Sequence, residues 1–101
     1  MGKGLREIYE GLLSKLPPEL QDLKYETISV EEVHVKKPRK VYRYIHLKGY
    51  RDGKTYTLRS YPLGSVYMPE LVNLVYLYRA VKALEKALSY LSLLETSGYN
   101  L

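Results

Sequence analysis

Nine of the sixteen basic residues lie between Lys36 and Arg59, a stretch holding a single acid, Asp52. It reads KKPRKVYRYIHLKGYRDGKTYTLR, a formal charge of +8. The residues before it sum to −3 and those after it to zero, so the net charge of +5 is one local feature. Cations neutralise phosphates, and tyrosines between them offer rings on which bases can stack. The same composition also suits a solvated strand face, where lysines blunt aggregation and tyrosine pairs stabilise a hairpin.

Other chemistry has little material. His34 and His46 are the only histidines and cysteine is absent, so no nitrogen and sulfur ligand set can be assembled and no metal or other cofactor is expected. Glu31 and Glu32 are adjacent and would point to opposite faces of a strand, which prevents paired acid–base work. No glycine-rich phosphate loop occurs. The expectation is a protein that is not an enzyme.

The elements that must position the basic stretch can be read from periodicity. One domain over 1–101 is expected from length alone. Leu5, Ile8, Leu12, Leu13 and Leu16 recur at helical spacing, which predicts a helix over 4–16 ended by Pro17-Pro18. Residues 26–36 read as a strand. Ile28 and Val30 share one phase and Val33 and Val35 the other, which predicts a β-bulge or break at Glu31-Glu32.

Residues 40–50 and 54–61 read as a hairpin about Asp52-Gly53, the pair favoured by a type I′ turn. Arg51 then faces Lys54, Lys48 faces Thr57, Leu47 faces Leu58, His46 faces Arg59 and Tyr44 faces Tyr61. This register puts Val41, Ile45, Leu47, Tyr56 and Leu58 on one face. Lys40, Tyr42, Tyr44, His46, Lys48, Tyr50, Thr55, Thr57, Arg59 and Tyr61 fall on the other. Arg43 is the exception, a cation in the apolar phase, placed near the open end of the hairpin.

Residues 69–95 read as one long helix with Pro69 at its start and Gly98 past its end. Leu74, Leu77, Val81, Leu84, Leu88 and Leu91 form a heptad-like seam, and Ala80, Ala83 and Ala87 would allow close helix approach. A helix of that length exceeds what a small sheet can cover, so the excess is expected to pack on the N-terminal helix or on a second copy of the chain, with the seam as the interface of a homodimer. The fold class is therefore α+β: an N-terminal helix, a three-stranded antiparallel sheet, and a long C-terminal helix on one sheet face.

The basic face offers three modes: a ribbon in the major groove, a single strand stacked on Tyr42, Tyr44, Tyr50 and Tyr61, or backbone contact alone. Double-stranded DNA is the expected ligand, favoured over RNA. Contacts would come from Lys40, Arg43, His46, Lys48, Arg51, Lys54, Thr57 and Arg59 together with the tyrosines. An acidic protein is the alternative partner, met by the same face while the long helix serves as an interaction module.

The run Tyr42-Arg43-Tyr44, then Gly49 to Leu58, then Tyr61 to Gly64 and a long helix resembles the arm-type DNA-binding domain of tyrosine integrases over about residues 40–90. That resemblance implies a three-stranded sheet packed on a C-terminal helix and inserted into the major groove. It also implies Arg43, Arg51, Lys54 and Arg59 as groove-facing residues. The chain departs from the pattern in lacking a recombinase domain and in having the helix 4–16 in front. The analogue would be a small stand-alone DNA-binding protein of an archaeal mobile element, viral or plasmid-borne.

Three further features bear on setting. Amides are scarce (Gln21, Asn73 and Asn100) while Lys and Glu are plentiful, a thermophilic lean. The absence of cysteine suits an intracellular, cytoplasmic protein. The sequence shows neither a signal-peptide-like start nor an apolar run long enough to span a bilayer, so no membrane role is expected.

Overall fold

A computed structural model describes residues 2–100. The chain runs α1 (Gly2–Leu13), a 3-10 turn (Pro18–Leu20), β1 (Thr27–Lys37), β2 (Lys40–Arg51), β3 (Lys54–Pro62) and α2 (Met68–Thr96). The three strands form one antiparallel sheet in the order β1-β2-β3. This is the α+β architecture expected, with every element within a few residues of its predicted bounds. α1 stops at Leu13, three residues before its predicted end, and Lys15 and Leu16 continue in i→i−3 turns. Pro18 then starts the 3-10 turn and Pro69 opens α2, where a fixed φ and a missing N–H suit the first turn. Asp52 and Gly53 have φ of 52° and 76°, the left-handed pair of a type I′ turn.

Two features of register differ from expectation. β1 carries no bulge: it pairs with β2 without interruption from Thr27↔Tyr50 to Lys37↔Lys40. Strict alternation therefore sends Ile28 and Val30 to one face and Val33 and Val35 to the other. The bulge lies instead in β3. The predicted register holds from Arg51↔Lys54 to Lys48↔Thr57, then shifts so that Leu47 pairs with Arg59, His46 with Ser60, Ile45 with Tyr61 and Tyr44 with Pro62. Leu58 is the extra residue. It and Arg59 both turn toward the helices, because a bulge places two residues against one on the partner strand.

The core sits on one side of the sheet. Leu16, Leu20 and Leu23 from the N-terminal segment, Ile28 and Leu47 from the sheet, and Val75, Tyr78 and Val81 from α2 are buried together. Ile45 and Leu71 are buried beside them. The seam predicted as a dimer interface contributes in part to this core. Val81 is fully buried in this core, Leu74 and Leu77 pack against it, and Leu84, Leu88 and Leu91 are half-buried. Leu88 lines a cleft with Arg6 and Tyr9 of α1. The excess length of α2 is thus covered in part by α1, by the same apolar stripe.

Tyr78 joins α2 to the sheet. Its hydroxyl donates to the Tyr25 carbonyl at 2.6 Å and accepts from the Tyr25 N–H at 3.1 Å. No solvent reaches Tyr78, and burial pushes its phenol up to about 12. Lys82, one turn on, donates to the carbonyl of Leu23 at 3.1 Å. The Tyr25 ring lies over Gly49 on β2, where an added Cβ would come within 2.6 Å of ring carbon Cδ1. It also meets Tyr56 of β3 at 6.1 Å between centroids.

The molecule is long, 67 × 27 × 17 Å. α2 begins beside the middle of β2, where the Leu63 N–H donates to the Arg43 carbonyl at 2.9 Å, and passes Tyr25 at the far end of the sheet. β3 ends opposite Tyr44, so residues 34–37 and 40–43 form a two-stranded ribbon with no third strand. At ~3.3 Å per residue the ribbon projects about 13 Å past β3.

Two outcomes test this packing. Gly49→Ala should lower stability by about 1–3 kcal/mol in chemical denaturation, because the rigid Tyr25 ring has to move. Tyr78→Phe should cost about 1–3 kcal/mol by leaving the Tyr25 N–H and carbonyl unpaired. The raised phenol adds a pH signature. Its stabilising contribution is complete below pH 10.0, the ordinary tyrosine value, and is lost as pH rises toward about 12, at ~1.4 kcal/mol per unit. Wild-type stability should therefore fall more steeply than that of Tyr78→Phe over this window.

Candidate nucleic-acid interface

Helices and 3-10 turn all lie on the Leu47 side, which leaves the opposite sheet face without cover. Along β2 that open face presents Lys40, Tyr42, Tyr44, His46, Lys48 and Tyr50, as predicted. Thr57 and Thr55 accompany them on β3, opposite Lys48 and Tyr50. Val33 and Val35 of β1 join this face opposite Tyr44 and Tyr42.

Arg59 and Tyr61 do not. The predicted pairing of Arg59 with His46 would have kept both on the open face; the bulge at Leu58 moves them to the other. There the Arg59 guanidinium pairs with Glu19 of the 3-10 turn and donates to the Tyr61 hydroxyl at 3.2 Å. Tyr61 and Glu19 hold Arg59 firmly protonated. The Glu19 carboxyl sits below the usual range, through its own backbone N–H and through Arg59. Arg59 is a structural cation that ties β3 to the segment after α1, and it leaves the groove-facing set.

The remaining cations divide by whether a carboxylate neutralises them. Lys48 Nζ lies 2.6 Å from Glu31 Oε2 across β1–β2, and the lysine draws the glutamate's pKa down. Arg51 Nε lies 3.5 Å from Asp52 Oδ2 at the β2–β3 turn. The turn is acidic in part, since Glu26 accepts from the Asp52 N–H at 3.4 Å. Lys54 stands beside it without an acid partner among the described residues.

The ribbon is different. Residues 34–43 are all exposed and contain Lys36, Lys37, Arg39, Lys40 and Arg43 with no acid. None of the five has a carboxylate within 4.0 Å among the described residues. Lys37 and Lys40 lie on the open face; Lys36 and Arg43 lie on the other, opposite Val41 and His34. Pro38 and Arg39 form the turn, so Arg39 stands at the apex. Arg43, the cation in an apolar phase, is accounted for: where it sits, the helix-side face has no helix over it.

The basic stretch therefore has its centre at the β1–β2 turn, not at the Asp52-Gly53 turn. Sequence reasoning missed Lys36, Lys37 and Arg39 as site residues because Lys37-Pro38-Arg39-Lys40 lacks the Asn-Gly or Asp-Gly signal of a hairpin. The available signal was the run of cations flanking one proline between two β-rich segments.

Among the described residues no group of His, Asp and Glu is arranged to hold a metal ion. His34 Nε2 lies 3.1 Å from Glu32 Oε1, on the face opposite His46. Two clefts on the helix side have water-accessible volumes of about 680 and 410 Å³. The first lies between Glu26 and Lys82 to Tyr90 of α2; the second is lined by Arg59, Tyr61 and the start of α2. Each mixes acids with bases. No helix is long and apolar enough to cross a membrane among the described residues. Comparison of the chain with protein-family models, with curated proteins and with solved structures finds no match, so the resemblance to integrase arm-type domains stays an expectation drawn from residues 40–90.

Proposed function

We propose that the protein binds nucleic acid, with double-stranded DNA as the ligand, through the projecting ribbon 34–43 and the adjoining open face of β2. One observation carries this reading: five cations within ten exposed residues, none matched by a carboxylate among the described residues. Solubility does not need that density, since a net charge spread over the surface would serve equally. A ribbon narrower than the sheet also brings its cations to both sides of a groove, where phosphates are closest.

The paired cations contribute less. Lys48 would have to leave Glu31, and Arg51 shares its charge with Asp52, so the β2–β3 turn is a secondary contact. Binding by Lys36, Lys37, Arg39, Lys40 and Arg43 releases about five counterions and the β2–β3 turn about one more, which gives a slope of log K against log salt near about −5.4 for duplex DNA. Changing Lys37, Arg39 and Lys40 together to Gln should flatten that slope by about 2.7. Changing Arg51 and Lys54 should flatten it by about 1. Fluorescence anisotropy over a salt series measures both. No binding at low salt, or a slope near zero, refutes the reading.

A second reading rests on α2. Tyr90, Leu93, Leu94 and Tyr99 are exposed near its C-terminal end, with Leu93 60% accessible. This apolar surface, beyond the predicted seam, would serve a second copy of the chain. Sedimentation should then give a dimer that Leu93→Asp converts to monomer. A wild-type monomer at high concentration counts against it.

A further inference from the structure

The open face of β2 holds a feature that phosphate contact leaves unused. Tyr42, Tyr44 and His46 occupy successive same-face positions of one strand, ~6.8 Å apart, and Tyr50 follows ~13.6 Å beyond His46 with Lys48 between them. The Tyr44 and His46 rings are 6.4 Å apart and tilted by 38°, which makes them one aromatic surface. Tyr42 and Tyr50 are 38% and 40% exposed.

The flanking strands are low around Tyr50. Thr27 and Thr55 stand opposite Tyr50, Ser29 and Thr57 opposite Lys48, and Ser60 opposite His46. No helix approaches this side. Cations are interleaved with the rings: Lys48 lies between His46 and Tyr50, and Lys40 Nζ lies 5.2 Å from the centre of the Tyr42 ring. An extended single strand advances by a comparable length per nucleotide and alternates a stacking surface with a negative charge. A duplex keeps its base faces inside the helix and can give these rings only its edges.

We propose that the open face of β2 is a platform for single-stranded nucleic acid, DNA or RNA, with bases stacked on Tyr42, Tyr44 and Tyr50. The phosphates run past Lys48 and Lys40 toward the unpaired cations of the ribbon. The inference rests on the nucleic-acid reading above and adds a strand state and a set of residues to it. Tyr61 has no part in it, because the bulge at Leu58 turns that ring to the helix side.

The test is fluorescence anisotropy at one low salt concentration with three probes: a short oligo(dT), the matching oligo(rU) and a blunt DNA duplex. The variants are the triple Tyr42→Leu, Tyr44→Leu, Tyr50→Leu and the triple Tyr42→Phe, Tyr44→Phe, Tyr50→Phe. Base–aromatic stacking spans about fivefold to over a hundredfold per ring, so the leucine triple should weaken single-strand binding at least about a hundredfold. The phenylalanine triple should stay within about threefold of wild type, since stacking needs the ring and not the hydroxyl. Neither triple should change duplex affinity more than about threefold, because every cation is kept. Binding of either oligomer with this pattern supports the platform, and the tighter of the two names the strand it takes. Should the leucine triple lose cooperative unfolding, the single changes Tyr42→Leu and Tyr50→Leu, both at exposed positions, take its place, each losing fivefold or more.

Equal losses in the leucine and phenylalanine triples would overturn the proposal, as would parallel losses on oligomer and duplex. Wild type that binds duplex but neither oligomer refutes the platform and leaves the duplex reading standing. Wild type that binds none of the three refutes both.

Discussion

The fold depends on one buried hydroxyl. Tyr78 brackets the backbone of Tyr25, accepting its N–H and donating to its carbonyl, and so sets where α2 crosses the sheet. Tyr25 in turn lies flat on Gly49, the one residue of β2 without a side chain to obstruct it. The chain entering β1, the central strand β2 and the middle of α2 are locked at a single point. The core then collects on that side: Leu20, Ile28, Leu47 and Val81 close around the two tyrosines. A sheet of three strands with one covered face must leave the other to water, and the polar phase of β2 is what it leaves there.

Charge follows from the same geometry. Where acids are within reach, the cations are neutralised: Glu31 reaches Lys48, Asp52 reaches Arg51, and Glu19 reaches Arg59. Of the acids that precede β1, Glu19 is at Arg59 and Glu26 at the β2–β3 turn. Among the described residues no carboxylate pairs with Lys36 to Arg43 on the ribbon. Position in the fold, and not count alone, separates the functional candidates from cations that serve structure. Arg59 shows the difference: it belongs to the basic stretch by sequence and to the helix-side packing by structure.

Much of this was legible in the chain. Alternation and turn chemistry placed the strands, Asp52-Gly53 set the register at its own turn, and the 3-4 spacing of leucines placed α2. What escaped were single-residue events that leave the apolar pattern intact. Tyr56 and Leu58 keep their phase whether or not a bulge follows, and Arg59 and Tyr61 are amphipathic enough to suit either face. Only Glu19, forty residues away in sequence, shows which face they take. The phase slip between Val30 and Val33 predicts a bulge only if all four apolar residues share one face. The structure places Val33 and Val35 on the open face beyond the helices, where no core asks for them. The leucine seam is legible as a seam, but its spacing does not say that α1 and the sheet cover part of it.

The central claim is that an uncovered sheet face and its projecting ribbon meet nucleic acid, while the helix side serves the fold. Amide chemical-shift mapping during titration with a short DNA duplex tests it most directly. The account predicts saturable shifts concentrated in residues 34–43 and along β2 to Tyr50, with α1 and the buried face of α2 unmoved. Shifts confined to the exposed end of α2, or none at low salt, would contradict it.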